Sequence, residues 1–172
     1  FIDYFIQDLG LSRSVVSTLY TAGTLLASFA LPFVGGQFDR RGARIMVVIV
    51  SVLLGLACFY MGFVKNALML GIGFCALRML GQGSLGLVCR NTINQWWVRR
   101  RGLVMGMAGM VSALLGSGEF PNLINWLIPI YGWRVSYMLL GLLTAGVMLP
   151  LGMIFIRNRP EDYGLEPDGM TR

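Results

Sequence analysis

The sequence predicts an all-α, polytopic membrane helical bundle. Two observations carry this prediction. Of the 172 residues, 56% are hydrophobic and only 13% are charged, whereas soluble domains carry about 25% charged residues. Several uncharged runs are also long enough to cross the roughly 30 Å hydrocarbon core of a bilayer as helices. These continuous runs do not resemble the alternating strands of about ten residues that form membrane barrels.

The apolar runs divide the chain into spans and connections. We expect residues 1–13 to be the outer end of a missing first helix with an outside loop, and residues 157–172 to begin a cytoplasmic loop. Between them we expect five transmembrane helices, at about 14–38, 45–64, 67–98, 102–127 and 135–156. Because the chain starts at Phe1 and shows no signal peptide, we expect it to be a fragment.

Basic residues alternate with the predicted crossings. Three segments that flank the predicted spans are rich in arginine. The first contains Arg40, Arg41 and Arg44, the second contains Arg99, Arg100 and Arg101, and the third contains Arg157 and Arg159. The positive-inside rule makes all three cytoplasmic. We therefore expect a multi-pass protein of the plasma (cell inner) membrane, with the start of this chain outside and its end in the cytoplasm. The clustering also indicates that the net charge of +6 serves topology in a lipid bilayer and not nucleic-acid binding.

Composition argues against an enzyme and against a bound metal or cofactor. The chain has no histidine, and its three cysteines show no metal-ligand spacing. The string from Asp39 to Arg44 partly resembles phosphatidyl-alcohol transferases, but no further aspartate follows before Asp162. An intramembrane serine protease would need a histidine partner for its serine.

Three charged residues interrupt the predicted spans and are candidates for a cavity or for coupling. Arg78 lies near the middle of its span, and Gln82 shares its helical face. Arg78 either lines a substrate cavity or caps the carbonyls of a broken neighbouring helix. Arg90 lies nearer the cytoplasm and either contributes to the cavity or snorkels to the interface. Glu119 is either a proton carrier, the counter-ion of an arginine, or a structural carboxyl.

Small residues recur along the predicted fourth span with steps of four and three. This spacing places them on one helical face, where a neighbouring backbone can approach closely. Helix packing alone explains such a face. A domain that rocks as one unit also needs a tightly packed helix pair of this kind. The residues are Gly102, Gly106, Gly109, Ala113 and Gly116.

The loop GGQFDRRGAR, residues 35–44, resembles the conserved loop between the second and third helices of the major facilitator superfamily. Gly35 would allow close approach at a helix end, Asp39 can cap a helix start or pair with a cation, and Gly42 supports a tight turn. By this resemblance Gly35, Asp39, Arg40, Gly42 and Arg44 form a cytoplasmic latch. The departures from the family pattern are Gln37, Phe38 and Ala43, and the last weakens the expected contacts across the cytoplasmic surface.

Three further segments extend the resemblance along the chain. Residues 78–83 are similar to the family's fourth-helix pattern, residues 94–109 resemble the fourth-to-fifth connection of monocarboxylate-transporter-like members, and residues 157–169 resemble the start of the central loop in that branch, oxalate/formate exchangers included. The resemblance implies helices two to six of the N-terminal half of the fold.

The resemblance also implies a function. We expect a secondary transporter working by alternating access, which moves a small solute, best described as an organic monocarboxylate, by proton symport or anion exchange. Its partners would be protons and the C-terminal half of the transporter. The alternative is a structural or oligomeric channel-like membrane protein without transport activity of its own.

Overall fold

The structure, a computed structural model, describes residues 2–116 and 120–169, which form a bundle of helices and confirm the all-α prediction. A π-helical segment, Arg78–Leu85, joins the fourth α-helix to the fifth, and two 3-10 turns, Pro160–Tyr163 and Pro167–Gly169, follow the last helix. The helices are α1 (Ile2–Leu9), α2 (Arg13–Arg41), α3 (Ala43–Met61), α4 (Ala67–Leu77), α5 (Gly86–Trp96), α6 (Arg101–Leu114) and α7 (Phe120–Phe155).

Four helical segments in the described part of the chain are long and apolar enough to cross a membrane. They are Arg13–Arg41, Ala43–Met61, Ala67–Trp96 and Phe120–Phe155, and the apolar helix Arg101–Leu114 is shorter. The predicted fourth span is represented by α6 and by the first part of α7, with residues 117–119 outside the described residues. The division into five spans therefore stays a prediction.

Local signals in the sequence explain where the helices begin and bend. The side chain of Ser12 accepts a hydrogen bond from the Val15 amide and caps α2, and Asn66 caps α4 through the Met69 amide. Gly42 ends α2 with φ 80°, a backbone conformation that favours glycine. Gly132, with φ 75° and ψ 162°, interrupts α7 close to the predicted boundary between the fourth and fifth spans.

Two apolar clusters lie at opposite ends of the bundle. One is centred on Phe5, Met61 and Trp133, and the other on Phe38 and Val47. Between them α3 packs extensively on α7. The two backbones come close because glycine faces glycine: a Cβ added at Gly141 would stand 2.8 Å from the Gly55 carbonyl oxygen.

Large apolar side chains cover much of the outside of this bundle. Phe29 is 81% exposed and Leu142 is 71% exposed. A soluble monomer rarely exposes contiguous apolar surface on this scale. The same surface is favourable against lipid or against further helices, as the membrane prediction requires.

Candidate functional site

Arg78 is the charged residue at the centre of the candidate site. It is the first residue of the π-helical segment, and such segments occur frequently at functional sites. Its Nε donates a hydrogen bond to Thr24 Oγ1 on α2 at 3.2 Å. Its guanidinium carbon lies 4.4 Å from the centre of the Tyr20 ring, which is a cation–π contact. Both partners are electrically neutral, so they orient the guanidinium without removing its charge.

Thr24 is held so that its oxygen can accept this hydrogen bond. Its hydroxyl donates to the Tyr20 carbonyl at 2.8 Å, one turn earlier on α2. The hydroxyl proton is therefore already used, and the remaining lone pairs are available to Arg78. This chain of two hydrogen bonds fixes the direction in which the arginine side chain leaves its helix.

Glycines let α2 approach the helix that carries Arg78. A Cβ on Gly23 would lie 3.0 Å from the Cys75 amide nitrogen, and one on Gly83 would lie 2.7 Å from Leu31 Cδ2. Cys75 and Gly83, which make these contacts, lie on either side of Arg78 in the sequence. Because Gly23 and Gly83 lack a side chain, the helices pack tightly enough for the contacts of Arg78 with α2 to form.

Arg78 and Gln82 line a cleft of about 210 Å³ between α2 and the π-helical segment. Arg78 is partly buried there and Gln82 is exposed. The rest of the lining is small or apolar, apart from two hydroxyl groups, and the full set is Thr24, Ala27, Ser28, Leu31, Arg78, Gln82 and Gly83. A cleft of this kind offers one positive charge and a few neutral hydrogen-bonding groups to a small ligand.

No carboxylate among the described residues neutralises Arg78. The ion pairs within residues 2–116 and 120–169 join Asp3 to Arg13 and Asp8 to Arg134. A charge near the middle of a span costs at least about 2.5–3.5 kcal/mol on insertion scales unless it is paired or hydrated. An anion in the cleft would offset this cost.

The other two candidates from the spans do not join this cleft. Arg90 lies on α5, about three turns beyond Arg78, and is exposed. Its Nε donates a hydrogen bond to the Gly86 carbonyl on its own helix at 3.2 Å. Glu119 lies outside the described residues, so its place relative to Arg78 stays a prediction.

The loop at residues 35–44 differs from its predicted form because α2 continues to Arg41. Asp39 therefore lies in the last turn of α2 and does not cap the start of α3. It is exposed, and neither it nor Arg40 takes part in an ion pair within the described residues. Apart from the backbone of its own helix, no described atom lies within 4 Å of a Cβ built on Gly35. Pairing of the latch with the rest of a transporter stays a prediction.

Arg44 and Gly42 have a partner that the sequence did not indicate. The Arg44 amide donates to Asn158 Oδ1 at 3.1 Å. A Cβ on Gly42 would stand 2.6 Å from the same oxygen. At the other Arg-rich loop, the Asp168 carboxylate accepts hydrogen bonds from the Arg99 amide at 2.8 Å and the Arg100 amide at 3.2 Å. The segment after α7 thus touches both loops, which places all three Arg-rich segments at one end of the bundle.

At the opposite end of the bundle, Asp8 connects the start of the chain to residues 133–134. Its carboxylate accepts a hydrogen bond from the Trp133 indole at 3.0 Å and forms an ion pair with Arg134. Arg134 also donates to the Val64 carbonyl at 3.2 Å. Three connections that the charge pattern assigned to the outside therefore meet at the end opposite the arginine loops.

The small residues at 102–116 face open space in the described part of the chain. Apart from the backbone of the glycine's own helix, no described atom lies within 4 Å of a Cβ built on the four glycines, and Ala113 is exposed. Their role in packing stays a prediction, with a partner beyond the described residues. The positions are Gly102, Gly106, Gly109, Ala113 and Gly116.

Sequence reasoning missed the residues that position Arg78. Tyr20 and Thr24, together with Ser28 in the lining of the cleft, recur every four residues along α2. That spacing places polar groups on one face of a span, and it was a usable signal. Asn158 and Asp168 had no comparable signal, because their contacts bridge about 70 to 114 residues.

The model of the Major Facilitator Superfamily matches residues 1–170. The chain belongs to this superfamily. Its relatives are transporters, which agrees with the prediction that it is not an enzyme, and membership makes it an integral membrane protein.

Three relatives cover most of this chain. It is 30% identical over 154 residues to a gallate transporter of Pseudomonas putida, with 86% of this chain and 31% of the relative covered. It is 28% identical over 157 residues to a multidrug resistance protein B homolog of Mycobacterium tuberculosis, with coverage of 91% and 29%. It is 28% identical over 156 residues to the oxalate:formate antiporter of Oxalobacter formigenes, with coverage of 88% and 35%. The chain thus spans about a third of the length of these relatives.

Proposed function

We propose that this chain is part of a secondary transporter that moves a small organic anion by alternating access, and that Arg78 contacts the anion. The observation that carries the proposal is the set of groups that surround Arg78 within its span. Neutral groups orient it, it lines a cleft, and no described carboxylate pairs with it. A carboxylate ligand can accept two parallel hydrogen bonds from a guanidinium, which adds both strength and direction.

The relatives support a carboxylate as the substrate class. Gallate, oxalate and formate, which the names of two relatives mention, all carry a carboxylate group. Nε of Arg78 is committed to Thr24, so the terminal nitrogens would bind the anion. Gln82 and Ser28 would supply neutral hydrogen bonds from the same cleft. We propose an organic monocarboxylate as the substrate.

The arrangement of charges supports one orientation in the plasma (cell inner) membrane. The segment after α7 contacts both Arg-rich loops, so the arginine clusters lie at one end. By the positive-inside rule we propose that this end is cytoplasmic and that Asp8 and Arg134 lie outside. The latch residues Asp39 and Arg40 would then meet the other half of the transporter at the cytoplasmic surface, and the glycine face of α6 would pack against that half.

Uptake by the full-length protein in proteoliposomes tests the proposal. The substrates are labelled gallate, oxalate, formate and benzoate, and benzamide is the neutral counterpart of benzoate. We expect uptake of at least one carboxylate and none of the amide. Arg78→Gln should reduce that uptake about 10-fold to 100-fold, because hydrogen bonds to charged groups contribute about 1.5–3 kcal/mol. Arg78→Lys should recover only part of it, since lysine cannot form the bidentate pair.

Arg90→Gln is the matched control, since it removes the same charge from the same helical segment outside the cleft. It should retain uptake. The proposal fails if Arg78→Gln transports as well as the unaltered protein, or if the amide is carried as fast as the acid. Stimulation of uptake by an imposed pH gradient would indicate proton symport. Stimulation of uptake by substrate preloaded inside the proteoliposomes would indicate anion exchange.

A further inference from the structure

The helices of this bundle differ in how their first turns are capped. At the end assigned to the outside, α2 and α4 carry their own capping side chains, Ser12 and Asn66. At the arginine-rich end, α3 begins after Gly42 and α6 begins after Arg100, and neither residue provides a side-chain cap. Without a cap, the first amide groups of a helix have no hydrogen-bond acceptor.

The segment after α7 supplies the missing cap of α3. Asn158 Oδ1 accepts the amide proton of Arg44, the second residue of the helix, at 3.1 Å. This is the contact that an asparagine at the capping position itself would make. Gly42 is the residue that lets Asn158 come so close, because any side chain there would meet the amide group.

The same segment also binds the turn that leads into α6. The Asp168 carboxylate accepts hydrogen bonds from three consecutive amides that precede the helix, those of Val98 at 3.3 Å, Arg99 at 2.8 Å and Arg100 at 3.2 Å. A negative charge is favourable at a helix N-terminus. The three neighbouring arginines at 99–101 favour it further.

Contacts within the segment shape the backbone between Asn158 and Asp168. Pro160 is buried, and its carbonyl accepts the Leu165 amide at 3.1 Å. Gly164 has φ 68°, which turns the chain back. The ring of Tyr163 lies 6.5 Å from that of Trp96 at the end of α5 and 5.6 Å from the Arg157 guanidinium carbon. The segment therefore holds Asn158 and Asp168 at a fixed separation.

We propose that residues 157–169 form a clasp, which caps α3 through Asn158, binds the backbone amides of residues 98–100 through Asp168, and so joins the two Arg-rich loops into one mechanical unit. The clasp fixes the α2–α3 corner relative to the α5–α6 corner. During alternating access the arginine-rich end would then move as one body. This proposal concerns the stability of that end and does not depend on the substrate or on Arg78.

Amide hydrogen exchange on the full-length protein in lipid nanodiscs, without substrate, tests the clasp. Peptides covering residues 42–46 and 97–101 report on the two contacts. Asp168→Ala should raise exchange at residues 98–100 about fivefold, the size expected for the loss of a hydrogen bond of ordinary net strength. Because the clasp joins the corners, the same variant should also raise exchange at Arg44. Asn158→Ala should produce the reciprocal effect at residues 98–100.

The control is Asp162→Ala, which removes the same charge from the same segment at an exposed position. It should leave both peptides unchanged. If Asp168→Ala does not fold, Asp168→Asn keeps an acceptor oxygen and should show a smaller increase at both sites. The clasp is refuted if the Asp168 variant changes neither peptide, changes residues 98–100 while Arg44 stays protected, or matches the control. Loss of transport has no bearing on these outcomes.

Discussion

Gly141 provides the sharpest test of how α3 and α7 pack. A Cβ at this position would lie 2.8 Å from Cys58 Cβ and 2.8 Å from the Gly55 carbonyl oxygen. Carbon atoms in folded proteins pack at about 3.5–4.0 Å, and one of the two obstacles is backbone. Gly141→Ala therefore forces the helices apart along the most extensive interface of the bundle.

The size of the effect follows from two opposing contributions. Overpacking a well-packed interior costs about 1–3 kcal/mol. Alanine has a higher helix propensity than glycine by up to about 1 kcal/mol, which partly offsets this cost. Gly146→Ala isolates the second contribution, because Gly146 lies on the same helix and no described atom outside the backbone of that helix is within 4 Å of its added Cβ. The difference between the two variants should therefore be about 1–3 kcal/mol.

The assay is reversible unfolding of the full-length protein in mixed micelles with increasing SDS. We expect Gly141→Ala to unfold at a lower SDS fraction than Gly146→Ala. Equal unfolding free energies for the two variants would show that α3 and α7 do not approach each other as described, and would refute the packing argument.

Three further predictions concern other parts of the chain. Gly42→Ala should lose about 1–3 kcal/mol of stability to backbone strain and should speed hydrogen exchange of the Arg44 amide. Gly132 has a similar φ and no neighbouring element near its added Cβ, so Gly132→Ala should show the strain alone. Equal exchange at Arg44 in both variants would contradict this prediction. Hydrogen bonds from the Arg99, Arg100 and Val98 amides hold the pKa of Asp168 below its usual value of 3.8, so protection of residues 98–100 should be complete above that pH and fall as the pH drops through the lowered pKa. Asp168→Asn should abolish that pH dependence, and its persistence would assign it to another group. Glu119→Gln should abolish the pH dependence of uptake if Glu119 carries the coupling proton, and an unchanged pH profile of uptake would end that proposal.

Local features of this protein could be predicted from the sequence. Long uncharged runs predict helices because a bilayer leaves the backbone no other way to satisfy its hydrogen bonds within one segment. The spacing of Arg78 and Gln82 predicted a shared face, and both line one cleft. The alternation of basic clusters predicted that the loops around Arg40 and Arg99 share an end, and the segment after α7 joins them.

Contacts between distant residues could not be predicted in this way. The hydrogen bond from Arg78 to Thr24 spans 54 residues, and the helical period contains no information about which α2 residue faces Arg78. The absence of a capping residue before α3 and α6 was visible in Gly42 and Arg100. Which side chains reach these two corners depends on how the chain folds back after α7, since Asn158 and Asp168 contact loops far away in sequence.

The account depends most directly on how the chain is threaded through the membrane. In a full-length protein with Cys58, Cys75 and Cys89 replaced by serine, single cysteines at Arg41, Val98 and Lys65 can be labelled with a membrane-impermeant maleimide. We expect residues 41 and 98 to react only from the cytoplasmic side and residue 65 only from the outside. Labelling of residues 41 and 98 from opposite sides would contradict the account.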